Sequence, residues 1–211
     1  MKNNVLELNK HLPLVAILRG IKTTNVVRVT KILVEEGFTM IEVPLNSPNS
    51  LESIKTLVEY FGSDYLIGAG TVTSVKLAKQ VIATGANLIV TPNFNEQVVK
   101  LAAKAGCVTF PGVITPTEAF AALEAGATGL KIFPISILGI EGFKALKSVL
   151  PKETICLPVG GINPTIDSMK PYINIGAQGF GLGASLYTPQ LSDDEIRINA
   201  KAFVATLEKS Y

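Results

Sequence analysis

Lys131 lies within an apolar run, residues 129–134, that is typical of a short buried strand. Burying an ammonium group without a partner costs several kcal/mol, so the chain must either pair this lysine or use it. Desolvation lowers a lysine pKa from its free value of about 10.4, and the neutral amine is the nucleophile that forms a Schiff base with a carbonyl substrate. Lys131 therefore indicates either imine chemistry or a structural role, in a buried ion pair or with its ammonium group reaching the rim of the fold.

A second charged residue, Glu42, interrupts the apolar run 40–45. Opposite charges in one interior can form a purely structural pair, although such pairs are weak support for stability because apolar replacements are often neutral or better. The same two groups also suit an amine nucleophile and its general acid/base. We favour this catalytic interpretation when Glu42 and Lys131 are considered together.

The positions of both residues depend on a repeated pattern, in which eight apolar runs alternate with eight amphipathic segments of helical length. The predicted strands are residues 12–18, 40–45, 66–72, 88–92, 108–113, 130–134, 155–159 and 179–183, and the predicted helices are residues 24–36, 51–60, 75–84, 96–105, 117–125, 142–150, 165–174 and 193–208. Continuously apolar strands favour a parallel sheet. Eight strand–helix units in 211 residues predict an α/β fold, a closed (β/α)8 TIM barrel formed by a single domain, residues 1–211. A doubly wound open sheet is the alternative, and the glycine-rich first turn expected of it is missing.

Helix boundaries are marked by capping signals. Cap residues or prolines precede several predicted helices, at Ser47-Pro48, Thr115-Pro116, Asn163-Pro164 and Ser192. Several helices are followed by a glycine, at positions 37, 85, 106, 126 and 176. These signals predict where one strand–helix unit ends and the next begins.

Active sites of such barrels lie at the carboxyl ends of the strands and in the loops that follow them. The predicted second and sixth strands carry Glu42 and Lys131. Because alternate strands contribute side chains to the same interior layer, we expect these two residues to approach each other across the lumen. Arg19 follows the wholly apolar first strand and is therefore expected at the same end of the barrel.

Glycines follow the last two predicted strands. Gly160 and Gly161 end the seventh strand, and Gly183, Ala184 and Ser185 end the eighth. Loops at these two places form the usual phosphate cradle of this fold, because glycine lets backbone amides approach an anion closely. Either group of glycines alone could mark only a turn, but the two together predict a phosphorylated substrate.

The composition argues against several other classes. The net charge is +2 without a basic block, so we expect no nucleic-acid partner. No apolar run approaches the length of a membrane span, and residues 1–4 lead into a polar stretch unlike a secretory leader. His11, the only histidine, is interpreted as an ordinary surface or capping residue, and one histidine cannot form a multi-histidine zinc site. Cys107 and Cys156 are expected to be reduced core thiols of a cytoplasmic protein.

Five motifs occur in order along the chain: Leu18-Arg19-Gly20-Ile21, Glu42-Val43-Pro44-Leu45-Asn46-Ser47-Pro48, Gly68-Ala69-Gly70-Thr71-Val72, Lys131-Ile132-Phe133-Pro134 and Pro158-Val159-Gly160-Gly161. Together, over roughly residues 12–187, they resemble the family of 2-keto-3-deoxy-6-phosphogluconate and 6-phosphogalactonate aldolases. The resemblance implies a (β/α)8 barrel, usually a homotrimer, that works as a class I aldolase without a metal or other cofactor. It also implies a phosphorylated keto-deoxy sugar acid as the substrate, with pyruvate and glyceraldehyde 3-phosphate as the products.

The resemblance assigns roles by position. Lys131 matches the Schiff-base lysine of the family and Glu42 its general acid/base. The remaining matches are positions that line the substrate site, Arg19, Thr71 and Pro92, and positions in the phosphate loops, Gly160, Gly161 and Gly183. The family commonly has a serine directly after the last of these glycines. Here Ala184 lacks that hydroxyl and Ser185 follows it, so backbone amides are what remains for the phosphate.

The two substrates of the family are epimers at C4. The resemblance implies a threonine before the glycine pair in gluconate-type members and a valine in galactonate-type members, and this chain has Val159 there. Asn46 agrees, because gluconate-type members tend to have an arginine at that position. We therefore expect 2-dehydro-3-deoxy-6-phosphogalactonate as the main substrate, with the gluconate epimer as the alternative. A non-catalytic sugar-phosphate sensor, or an isomerase or other phosphosugar lyase on this fold, also remains open.

Overall fold

The computed structural model describes residue 8 and residues 10–211. Residues 1–4, which we expect to carry no secretory leader, lie outside the described part of the chain. Nine short strands are present between residues 10 and 211: β1 (Leu14–Ile17), β2 (Met40–Pro44), β3 (Leu66–Gly70), β4 (Leu88–Val90), β5 (Val108–Phe110), β6 (Gly112–Val113), β7 (Leu130–Ile132), β8 (Cys156–Pro158) and β9 (Phe180–Leu182).

Eight α-helices are present in the same part of the chain. They are α1 (Thr23–Glu35), α2 (Ser50–Phe61), α3 (Val75–Ile82), α4 (Glu96–Lys104), α5 (Pro116–Glu124), α6 (Ile135–Val149), α7 (Ile166–Ile175) and α8 (Asp193–Glu208). The strands therefore alternate with helices as the sequence predicts. None of the helices formed by the described residues has the length and apolar character needed to cross a membrane.

All the strand pairs are parallel, and they form two sheets of order β5-β4-β3-β2-β1-β9 and β6-β7-β8. The predicted strand 108–113 is divided at Pro111, which has no backbone N–H to donate to a ladder. The carbonyl oxygen of Pro111 accepts a hydrogen bond of 3.0 Å from the backbone of Lys131. At the other edges, a parallel bridge joins Val159 to Gly181. The curved parallel sheet with flanking helices confirms the predicted α/β class.

The strands carry apolar residues at successive positions because both of their faces are covered. One large cluster of buried side chains fills the space between the sheet and the helices, and it includes Leu14, Ile41 and Phe180. A smaller cluster lies on the other face and includes Val15, Met40, Leu66, Leu88, Val90, Val108, Phe110 and Leu157. The alternation between the two clusters follows the period of two along each strand.

Most helix ends follow the predicted signals. Thr115 and Ser192 cap α5 and α8, each in a capping box with the glutamate three residues later. The glycines predicted to end helices all have positive φ, for example +97° at Gly37 and +106° at Gly176, a region that a residue with a Cβ rarely adopts.

Three helix starts differ from the prediction. Asn49 occupies the N-cap position of α2 without a capping hydrogen bond from its side chain, and the Ser47 hydroxyl accepts a hydrogen bond from Gly20 instead. Helix α7 is capped by Thr165, two residues after the predicted Asn163. Helix α6 begins at Ile135 instead of residue 142. Gly139, with φ +68°, kinks the helix within the segment 135–141, which the sequence pattern predicts as a loop.

The two cysteines are free and fully buried, as predicted. Burial raises the pKa of both the Cys107 and the Cys156 thiol to about 11. Such thiols are protonated at neutral pH and are poor nucleophiles, so they belong to the core and offer no chemistry.

Candidate active site

Glu42 lies in the middle of β2, where it pairs in register with Ile17 on one side and Gly68 on the other. The residue is 1% exposed, and its Oε2 has no hydrogen-bond partner among the described residues. Burial raises the pKa of Glu42 from its ordinary value of 4.5 to about 7, and the positive charges of Lys131 and Arg19 oppose that rise. A carboxyl group with a pKa near neutrality can both accept and donate a proton at physiological pH.

Lys131 lies in the middle of β7, between Gly112 of β6 and Leu157 of β8. It is 6% exposed, and its Nζ is 4.7 Å from the centroid of the Phe133 ring. Burial lowers the pKa of Lys131 below its ordinary value of 10.5, Glu42 opposes this decrease, and Arg19 adds to it. The neutral, nucleophilic form of Lys131 is therefore easier to reach than that of an exposed lysine.

Glu42 and Lys131 face one small interior cavity. Its other lining residues come from the strands on all sides: Val15, Ile17, Val90, Phe110, Leu157, Val159 and Gly181. Each of the two charged groups shifts the pKa of the other, yet no salt bridge joins them in the described structure. The arrangement is therefore not the closed ion pair that one of the two structural interpretations of Lys131 requires.

Gly70 makes room for the Glu42 carboxylate. A Cβ placed on Gly70, at the end of β3, would overlap Oε1, Oε2 and the carboxyl carbon of Glu42. Glycine at position 70 is thus a requirement of the site itself, because any side chain there would occupy the place of the carboxylate.

Arg19 lies at the rim, directly after Leu18 and the end of β1, and its side chain is exposed. Its Nη1 donates a hydrogen bond of 2.9 Å to Oδ1 of Asn46 in the loop after β2. The guanidinium affects the pKa of both Glu42 and Lys131, so it lies close enough to act on the two buried groups from outside.

Thr71 and Pro92 follow β3 and β4, and both are half-buried. Thr71 has φ +60°, in the left-handed region that a β-branched residue rarely enters. Strained backbone of this kind is concentrated at functional sites. Next to Pro92, the buried Thr91 hydroxyl donates a hydrogen bond of 2.5 Å to the carbonyl oxygen of Asn93 and so fixes the start of this loop.

The loops after β8 and β9 present a group of unused backbone amides. The N–H groups of Gly161, Gly183 and Ala184 donate to no acceptor in the described part of the chain, while Gly160 lies next to the parallel bridge between Val159 and Gly181. Gly160 and Gly161 have φ of +103° and +83°, a pair of successive left-handed residues that requires glycine. Backbone N–H groups gathered in this way form a binding place for an anion.

Ser185 joins these two loops to each other. Its Oγ donates a hydrogen bond of 2.9 Å to Oδ1 of Asn163, in the loop after β8. The Asn163 backbone N–H in turn donates to Oγ of Ser168 at 2.9 Å. The one proton of the Ser185 hydroxyl is therefore committed to Asn163, which leaves the backbone amides as the donors at this end of the site.

The structure thus brings Glu42, Lys131 and Val159 to one cavity and places Arg19, Thr71 and Pro92 after neighbouring strands at the same end of the sheet. Sequence reasoning missed the roles of Gly70 and Phe133 and the contacts of Asn46. The only signals for them in the sequence were the glycine at position 70 in the third motif and the aromatic residue two positions after Lys131.

His11 is half-buried before β1, and its backbone N–H donates to the carbonyl oxygen of Leu8 at 3.0 Å.

Comparisons with known proteins show the family to which the chain is similar. The sequence model of the KDPG and KHG aldolase family matches residues 5–200. A probable 2-dehydro-3-deoxy-6-phosphogalactonate aldolase from Rhizobium meliloti (strain 1021) is 45% identical over 199 residues, which are 94% of this chain and 93% of that protein. The 2-dehydro-3-deoxy-6-phosphogalactonate aldolase of Escherichia coli (strain K12) is 42% identical over 193 residues, 92% of this chain and 93% of that protein.

The fold is also similar to that of a solved structure. The structure described as "Native KDPGal structure" superimposes with a TM-score of 0.91 at 41% sequence identity, and the match covers 94% of this chain and 96% of that one.

Proposed function

Because the chain belongs to the KDPG and KHG aldolase family, we propose that it is a class I aldolase that reversibly cleaves 2-dehydro-3-deoxy-6-phosphogalactonate to pyruvate and D-glyceraldehyde 3-phosphate. The observation that carries this proposal is the pair Glu42 and Lys131, both buried and facing one cavity. An unpaired carboxyl group with a pKa of about 7, beside a lysine with a lowered pKa, is suited to proton transfer at an imine.

The first stage is imine formation. The neutral amine of Lys131 attacks the C2 ketone, and Glu42 supplies and removes protons while the carbinolamine loses water. The protonated imine then withdraws electrons from the C3–C4 bond, which an unmodified ketone does far less well.

The second stage is bond cleavage. Glu42, directly or through a water molecule, accepts the proton of the C4 hydroxyl as the C3–C4 bond breaks and glyceraldehyde 3-phosphate leaves. The electron pair remains on C3 as an enamine, which is protonated at C3, and hydrolysis of the imine releases pyruvate and the free amine. The imine provides the polarisation that a divalent cation provides in other aldolases, so this mechanism needs no metal and no other cofactor.

The substrate is proposed to lie between two anion-binding regions. Arg19 at the rim receives the C1 carboxylate, next to the carbon that Lys131 attacks, while Thr71 and Pro92 line the same end of the site. The phosphate lies against the loops that contain Gly160, Gly161, Gly183 and Ala184, and the unused amides of the last three receive it. Ser185 holds the two phosphate loops together through Asn163 instead of offering its hydroxyl to the substrate.

Val159 supports the galactonate epimer as the main substrate. It is buried, lines the cavity shared by Glu42 and Lys131, and offers only methyl groups there. A substrate hydroxyl that pointed toward Val159 would have no hydrogen-bond partner there. The gluconate epimer is the alternative substrate. A non-catalytic sugar-phosphate sensor is disfavoured, because it has no need of a buried amine and carboxyl group.

The finer architecture is also part of the proposal. We propose that residues 1–211 form one domain in which the sheet closes into a (β/α)8 barrel. Closure is supported by the Val159–Gly181 bridge and by the hydrogen bond of 3.2 Å from the Gly129 N–H to the carbonyl oxygen of Thr109, which link the two sheets. A homotrimer is supported by exposed apolar side chains beside the kink of α6, Ile137 at 78% and Ile140 at 40% exposure. The two free, buried cysteines are in keeping with a cytoplasmic location.

The direct test is to incubate the purified protein separately with each C4 epimer and to measure pyruvate release with lactate dehydrogenase. The proposal predicts release from both compounds, with the larger kcat/KM for the galactonate epimer. A larger kcat/KM for the gluconate epimer would favour the alternative substrate, and no release from either compound would contradict aldolase activity.

A further inference from the structure

Two loops at the rim of the site are joined at two points. The backbone N–H of Gly20, after β1, donates a hydrogen bond of 2.9 Å to the hydroxyl of Ser47. One residue earlier on each side, Nη1 of Arg19 donates to Oδ1 of Asn46, also at 2.9 Å. The backbone and the side chain of the arginine segment are therefore both held by the loop that follows Glu42.

The loop that holds Arg19 is itself rigid. The backbone N–H of Ser47 donates to the carbonyl oxygen of Pro44 at 2.8 Å, which closes a turn with Asn46 at its corner. Ser47 is buried, although Asn46 is exposed. Asn46 therefore projects from a fixed turn at the end of the strand that carries the catalytic carboxylate.

The chemistry of the contact defines the orientation of the amide. A guanidinium can only donate hydrogen bonds, so the Asn46 atom that faces it must be the carbonyl oxygen. No carboxylate in the described part of the chain forms a salt bridge with Arg19. One N–H group of the Arg19 guanidinium thus donates to a neutral acceptor, the Asn46 amide, and the full positive charge of Arg19 remains available to a substrate.

The position of that charge identifies the group it would bind. Arg19 acts electrostatically on both Glu42 and Lys131, so it lies at the end of the site where C2 is attacked. The anionic group closest to C2 is the carboxylate at C1, which a guanidinium fork recognises with two hydrogen bonds in a fixed geometry.

We propose that Asn46 is a positioning residue that holds the Arg19 guanidinium in the orientation that receives the carboxylate of the pyruvyl group joined to Lys131. This inference rests on the proposed aldolase function. Ser47 has the complementary part, because it fixes the backbone from which Arg19 extends. An uncharged amide is suited to the task, since an acid at position 46 would neutralise Arg19.

The experiment is a double-mutant cycle on Arg19 and Asn46. The readout is the pyruvate concentration that gives half-maximal trapping of the Schiff base with cyanoborohydride, which requires no aldehyde substrate. In the wild-type background Asn46→Ala should raise this concentration about tenfold, the usual scale for one hydrogen bond to a charged group. In the Arg19→Ala background the same substitution should have no further effect, because Asn46 acts only through the arginine. Asn46→Gln, which retains an amide oxygen, should lie between the wild type and Asn46→Ala.

Two further measurements separate positioning from general damage. Asn174→Ala, an exposed asparagine in α7 far along the chain from the site, is the matched control and should leave trapping unchanged. The charged groups that act on Glu42 are Lys131 and Arg19, and those that act on Lys131 are Glu42 and Arg19. Since Arg19 lowers the pKa of both groups, Asn46→Ala should also move the pH dependence of trapping toward higher pH.

The outcomes are distinguishable. If wild-type protein forms a pyruvate adduct but Asn46→Ala leaves half-maximal trapping unchanged, the role of Asn46 is wrong and the aldolase function stands. An equal effect of Asn46→Ala in the Arg19→Ala background would also overturn it, because Asn46 would then act independently of the arginine. Wild-type protein that forms no adduct would contradict the proposed function and this inference with it.

Discussion

The carboxylate of Glu42 occupies the space that a Cβ at position 70 would need. Gly70 ends β3 and pairs in register with Pro44, two residues after Glu42 on the neighbouring strand. The identity of residue 70 is therefore coupled to the acid/base group and is not explained by a turn, since Gly70 is not among the residues with positive φ.

Gly70→Ala should displace the Glu42 carboxylate and reduce kcat by about 100-fold, since an error of about 1 Å in a catalytic group can have an effect of that size. The added methyl group should also destabilise the fold by about 1–3 kcal/mol, the usual range for overpacking. Steady-state kinetics and urea unfolding measure the two effects.

A second substitution separates this steric effect from a general defect of β3. Glu42→Asp shortens the acid by one methylene, so in the Gly70→Ala background it should recover part of the lost free energy of unfolding. If the two substitutions are simply additive, the overlap between position 70 and the carboxylate is not the cause.

Glu42→Gln should reduce kcat by about 10²–10⁴-fold, the usual contribution of a positioned acid/base group, and should leave the protein folded. In the wild type, activity should rise with pH through about 7, because burial raises the pKa of Glu42 to that value and cleavage needs the ionised form. This ascending limb should be absent from the residual activity of the glutamine variant. Rates measured from pH 5 to pH 9 test both statements.

The same carboxyl group should make folding stability depend on pH. The pKa of Glu42 is about 7 in the folded protein and 4.5 in its ordinary, unburied state. The protonated carboxyl group therefore contributes fully to folding stability below pH 4.5, and this contribution is lost as the pH rises to about 7. The free energy of unfolding of the wild type should therefore fall relative to Glu42→Gln between pH 5 and pH 8, by up to about 3 kcal/mol. Parallel stability curves for the two proteins would contradict the raised pKa.

Thr71→Gly should stabilise the fold and weaken the enzyme. Thr71 is held at φ +60°, and left-handed backbone at a β-branched residue costs about 1–3 kcal/mol, which glycine relieves. The net gain in the free energy of unfolding should be about 1 kcal/mol after the greater freedom of glycine in the unfolded chain is subtracted. Thr73→Gly, at an exposed residue without positive φ, is the matched control and should be destabilising.

Val159→Thr should move the ratio of kcat/KM toward the gluconate epimer. The substitution keeps the shape of the side chain but adds a hydroxyl to the cavity wall, and one hydrogen bond is worth about 0.5–1.5 kcal/mol, or roughly tenfold at most. Val159→Ala removes methyl groups without adding a hydroxyl, so it should affect both epimers alike. A Val159→Thr variant with the wild-type ratio of kcat/KM would show that Val159 does not distinguish the two C4 epimers.

The sequence predicts the parallel α/β class because buried strands are continuously apolar, and the structure confirms that class. The family that the five motifs indicate is also confirmed by the relatives. The exact ends of strands and the early start of α6 could not be predicted. Pro111 divides a run that looks like one continuous strand in the sequence, and Gly139 looks like a loop signal although it lies inside a helix.

The site was only partly predictable for a physical reason. Lys131 and Glu42 can be recognised because a charge in an apolar strand is unusual, and Gly160 with Gly161 because glycine pairs permit close backbone approach. The link between Arg19 and Asn46, and the space that Gly70 leaves, depend on contacts between different strands, and no pattern along the chain reports them. The roles assigned to these residues, the closure of the barrel and the trimer stay predictions.

The central claim is that Lys131 is the amine that forms the Schiff base. Treatment with pyruvate and borohydride should inactivate the wild-type protein irreversibly, and peptide mass analysis should locate the adduct on Lys131. Lys131→Arg should be inactive and unlabelled, because a guanidinium stays protonated and cannot form the imine, while Lys144→Arg, at an exposed position in α6, should label as the wild type does. An adduct on any other lysine, or the absence of an adduct from active wild-type protein, would contradict the account.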